Sequence, residues 1–115
     1  MQPLFDGSLK VFSPEMTGQY CQAKSPFLTV TESSLIAKDD VAHLKSLTPK
    51  TEESYEVYLE SPNGDCKGTL ELFDRYLLID VSLFTSGDED FCKKFSKKWI
   101  RQTEEEIAAR RCRIQ

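Results

Sequence analysis

Residues 54–84 read SYEVYLESPNGDCKGTLELFDRYLLIDVSLF. Apolar residues recur here with a period of two, the side-chain repeat of a half-buried strand. Tyr55, Val57 and Leu59 point one way, and Glu56, Tyr58 and Glu60 the other. Residues 61–65, SPNGD, form a turn cluster in which Asn-Gly is the strongest short hairpin signal. A return strand is expected over 67–73, with Leu70 and Leu72 on one face. Asp74-Arg75 makes a second tight turn. Beyond it Leu77, Ile79, Val81 and Leu83 face inward, with Asp80 and Ser82 outward. Three consecutive strands with short turns predict an antiparallel meander over 54–84.

Downstream, the pattern predicts one amphipathic helix from about residue 87 to 112. Ser86 and Glu89 have the capping-box spacing, and Asp88, Glu89 and Asp90 load the first turn with negative charge. On a helical wheel Phe91, Cys92, Phe95, Trp99, Ile100, Thr103 and Ile107 share one half, which should lie across the meander. Lys93, Lys94, Lys97, Lys98 and Arg101 share the other. Such a helix is roughly 39 Å long, against ~30 Å for a nine-residue strand. Residues 107–115, which include Arg110 and Arg111, should therefore overhang the sheet as a docking element or a frayed end.

Upstream, the run FLTVT at 27–31 follows Pro26 and reads as a strand, which Leu35-Ile36-Ala37 continues or returns. Asp39-Asp40 fits a helix start, and Val41, Leu44 and Leu47 follow at helical spacing until Pro49. The expected fold is thus α+β: an antiparallel sheet of four to six strands centred on the 54–84 meander, a long C-terminal helix packed across it, and a short helix near 40–48. One domain should span residues 1–115.

Composition sets the outer bounds. Hydrophobic residues are 39% and charged residues 30% of 115, which suits a small compact domain rather than a disordered chain. No apolar run approaches the ~18–20 residues of a membrane helix, so no membrane association is expected. Net charge is −4, and its distribution is uneven: residues 1–85 hold 13 acids and 7 bases, residues 86–115 hold 6 acids and 8 bases. Cys21, Cys66, Cys92 and Cys112 contain no CxxC pair, which argues against a zinc knuckle. Residues 1–10 show no basic segment followed by an apolar one, so a cytoplasmic chain with reduced thiols is expected.

Motifs for catalysis and cofactors are missing from the sequence: no Walker A, GxGxxG, HExxH, GxSxG or EF-hand spacing occurs. His43, the single histidine, reads as a surface residue. The acidic runs Asp39/Asp40, Glu52/Glu53 and Glu104–Glu106 read as solvated or capping groups. No enzyme, metal or cofactor is therefore expected. Cys112 lies between Arg111 and Arg113, where cationic neighbours favour thiolate, yet a chance cysteine near a terminus is the simpler reading.

Two binding surfaces remain. Glu56, Tyr58, Glu60, Glu71, Phe73 and Asp80, with Tyr76 on the same parity, would give an acidic, aromatic outer sheet face suited to a partner protein with a basic surface. The expected function is that of a small acidic inhibitor, immunity-type protein or adaptor that masks its partner. The alternative is nucleic-acid binding through a basic helix face of Lys93, Lys94, Lys97, Lys98, Arg101, Arg110 and Arg111. Glu104–Glu106 follow that stripe at once and tie up charge locally through i,i+4 pairs. Self-association through the C-terminal helix is a further expectation, and truncation after Thr103 should leave a folded but partner-deficient domain.

Overall fold

The computed structural model describes residues 9–22 and 27–109. It is a closed antiparallel barrel of eight strands in simple sequence order. The strands are β1 (Gly18–Cys21), β2 (Leu28–Val30), β3 (Ser34–Ala37), β4 (Asp40–Pro49), β5 (Ser54–Glu60), β6 (Cys66–Phe73), β7 (Tyr76–Leu83) and β8 (Lys98–Arg101). Among the described residues two short helices accompany them, α1 (Glu89–Lys93) and α2 (Glu104–Ala109). The expected α+β fold is therefore corrected. The meander strands are present, but as three of eight staves, and no long helix roofs them.

Over its described part, residues 87–109, the C-terminal helix expected over 87–112 is two short helices with a strand between them. Ser96 is the point of divergence. Its hydroxyl accepts from the Val81 amide at 2.9 Å and donates to the Val81 carbonyl at 2.8 Å, standing in for a neighbouring strand. The chain then runs along β7, with Leu77 opposite Trp99, and reaches β1, with Tyr20 opposite Arg101. A sheet that would otherwise leave two edges of unpaired backbone gains its closing stave, and this outweighs local helix preference. Phe91, Phe95 and Trp99 are buried, though not along one helix face: Phe91 and Phe95 form an edge-to-face pair at 5.4 Å, and Trp99 enters the barrel from β8. The cap of α1 is Asp88, whose carboxylate accepts from the Asp90 amide, not Ser86.

The helix expected near 40–48 is strand β4. Lys38-Asp39 is a two-residue hairpin turn, with Lys38 at φ 60 and Ala37 opposite Asp40. A register shift between Leu44 and Ser46 then re-phases the strand. Ala42 and Leu47 both reach the core because of it. A bulge inside an alternating strand thus imitates a helical period.

The interior is filled. Trp99, Tyr20, Leu35, Leu47, Leu59, Leu70 and Leu77 are all less than 2% exposed. An eight-stranded barrel is just wide enough for side chains to fill it, and both ends are stoppered. At one end α1 inserts Phe91 and is tied to β6 by the disulfide Cys66–Cys92. At the other, residues 9–17 cross the opening. Leu9 bridges Leu47, the Phe12 amide donates to the Glu32 carbonyl, and Phe12 and Met16 bury against the core. The expectation of reduced thiols is corrected as well. Cys66, Cys92 and Cys21 are all disulfide-bonded, while Cys112 lies outside the described residues.

Candidate partner-binding surface

The outward positions of β4 to β7 form a continuous wall. Cross-strand register places Thr48, Glu56, Thr69 and Asp80 in one row and Ser46, Tyr58, Lys67 and Ser82 in the next. Glu56, Glu60 and Asp80 are exposed, and Tyr58 is half-buried. Glu71 and Phe73 lie further along β6, half-buried, near the 74–75 turn, where Phe73 meets Tyr76 at 5.8 Å. The six residues expected on one outer face share the barrel exterior but fall into two groups.

The wall is less acidic than the sequence parity suggested, because β4 supplies lysines. Lys45 pairs with Glu60 at 3.5 Å and Lys50 with Glu56 at 3.3 Å. Lys45 and Lys67 also lie over the Tyr58 ring, at 4.9 and 5.5 Å, and exposed Phe84 packs edge-on at 5.6 Å. Tyr58 donates its hydroxyl to Asp65 at 3.2 Å. Partial burial, then this donation, holds its phenol above the ordinary range. A groove of about 320 Å³ runs beside the ring, lined by Ser46, Thr48, Glu56, Lys67 and Thr69. Lys45 was hidden from the meander pattern, since it lies outside residues 54–84, whereas Phe84 closes that pattern one residue past β7.

A second concavity, about 430 Å³, opens at the end stoppered by residues 9–17. Tyr55, Leu72 and Phe73 line it together with Glu15, Glu52, Glu53, Asp74 and Arg101. The Arg101 guanidinium is spent on the barrel itself. It donates to the carbonyls of Glu15 and Thr17 and, at 3.3 Å, to the Tyr20 hydroxyl. In sequence, Glu52 and Glu53 belong to a polar, solvated connector. Up-and-down strand order alone brings the start of β5 beside the turn between β6 and β7.

The basic stripe is dispersed. Lys93 ends α1, Lys94 pairs with Asp40 at 3.0 Å, and Lys97 sits in the connector. Lys98 lies over the Tyr76 ring at 4.2 Å, and Arg101 anchors the N-terminal segment. Arg110 and Arg111 lie outside the described residues. Among the described residues no single helix carries these groups on one face. His43 is exposed on β4. Among the described residues no group of three or more His, Cys, Asp or Glu side chains converges as a metal site, and no helix is long and apolar enough to cross a membrane. No protein-family model, curated protein or solved structure matches the chain.

Proposed function

We propose that the chain is a small non-enzymatic binding protein that masks a basic surface on a partner protein. The observation that carries this reading is the filled, doubly stoppered barrel. Its interior is taken by its own side chains, so recognition falls to the outside. There, carboxylates and aromatic rings are displayed on stiff strands, which hold a binding surface with little ordering cost. Disulfide-bonded Cys21, Cys66 and Cys92 favour an oxidising compartment over the cytoplasmic expectation, whose reduced-thiol premise is gone.

The test is capture of partner proteins from the source organism on the immobilised chain, followed by purification of the complex. Charge reversal at Glu56, Glu60 and Asp80, or at Glu52, Glu53 and Asp74, should separate the two exterior surfaces. A stoichiometric protein complex lost on one of these reversals supports the reading. Retention indifferent to both reversals, or retention of nucleic acid alone, defeats it.

A further inference from the structure

We propose that the cavity beside Tyr55 and Phe73 is the seat of an arginine side chain presented by the partner. The inference rests on the masking reading and adds a location and a ligand class to it. At about 430 Å³ the cavity falls within the size range of ligand sites. Its apolar part is Tyr55, Leu72 and Phe73, all half-buried and held on the paired strands β5 and β6. Its rim is Glu15, Glu52, Glu53 and Asp74, all exposed, against the single guanidinium of Arg101. Among the described residues, none of these four carboxylates takes part in a salt bridge.

The carboxylates do not converge on a point, so they do not form a metal cage. They line the same cavity as Tyr55 and Phe73 instead. That arrangement suits a cation whose charge is spread over a plane and carried on an apolar stem. A guanidinium stacks on ring faces and offers five donors to surrounding carboxylates, and its methylene stem packs on apolar surface. A compact, strongly hydrated ammonium loses more on leaving water.

The experiment is a two-dimensional amide NMR titration of the intact, oxidised chain at low salt. The probe is an end-blocked peptide alternating glycine and arginine, compared with the same peptide carrying citrulline, the neutral isostere, or lysine. The arginine peptide should shift amides within 52–55 and 72–74 saturably, the lysine peptide less, and the citrulline peptide not at all. Glu52→Gln with Glu53→Gln should weaken the arginine peptide roughly tenfold, as should Phe73→Ser, whose unchanged remaining spectrum verifies the fold. Equal binding of citrulline overturns the proposal. So do shifts confined to Glu56, Glu60 and Asp80, which would leave the masking reading standing on the wall. No shift anywhere also overturns it, and partner capture then judges the masking reading separately.

Discussion

Gly68 sits on β6 opposite Val81 of β7. A Cβ there would lie 2.0 Å from the Asp80 carbonyl oxygen and 2.7 Å from the Val81 Cα, both backbone atoms that cannot swing aside. Gly68→Ala should cost about 1–3 kcal/mol by forcing the strands apart, read as a lowered urea midpoint. Ser96 acts on the same strand. Ser96→Ala removes both hydroxyl bonds to Val81 and should cost about 1–3 kcal/mol. Tyr20 links stability to pH. Burial raises its phenol above the ordinary value, with Arg101 opposing. The native state therefore favours the neutral form. Its contribution is complete below pH 10.0, the unfolded value, and fades as pH climbs through the higher folded value. Tyr20→Phe should flatten the fall in thermal midpoint between neutral and strongly alkaline pH, while losing the bond to the Met16 carbonyl.

At the scale of elements, α1 is too short to persist alone. It is held by Cys92, by Phe91, and by the 61–65 turn, whose Asn63 carbonyl accepts from the Asp88 amide at 2.9 Å. The disulfide spans a sequence separation of 26, so replacing Cys66 and Cys92 by serine should cost about 3.5 kcal/mol on chain-entropy grounds. Denaturant unfolding measures this directly, and an unchanged midpoint would show that packing alone seats α1. The helix α2 has its own device. Thr103 and Glu106 form a reciprocal capping box, with bonds of 2.9 and 3.2 Å, and Glu106 also reaches Arg75 at 3.4 Å. That box lies within the segment that the sequence pattern assigned to the middle of a longer helix.

For the whole molecule, closure is uneven. The strands β6 and β7 are joined by eight residue pairs, whereas β8 meets β7 through three and β1 through two. Hydrogen exchange should therefore find Lys98–Arg101 the least protected long-range seam, with β6 and β7 the most protected. Uniform protection around the barrel would contradict this. The outer wall carries Glu56, Lys67, Thr69 and Asp80 where a membrane-spanning barrel would carry an apolar band.

Sequence alone determined the strands of residues 54–84, because alternation, Asn63-Gly64 and Asp74-Arg75 are local signals of strands and turns. It also determined which of their side chains face the core: Leu59, Leu70, Leu77 and Ile79 bury as alternation requires. Outward Glu56, Glu60 and Asp80 followed from the same parity. Tertiary structure decided the rest. Helical spacing at Val41, Leu44 and Leu47 came from a bulge, and at Phe91, Phe95 and Trp99 from a plug followed by a strand. Both patterns are ambiguous locally, since a period of three or four can arise from an interrupted strand. The ambiguity is resolved only when β1 and β7 present free edges that β8 must fill. The gathering of Glu15, Glu52, Glu53 and Asp74 around Tyr55 and Phe73 likewise exists only once distant turns share one end of a closed barrel.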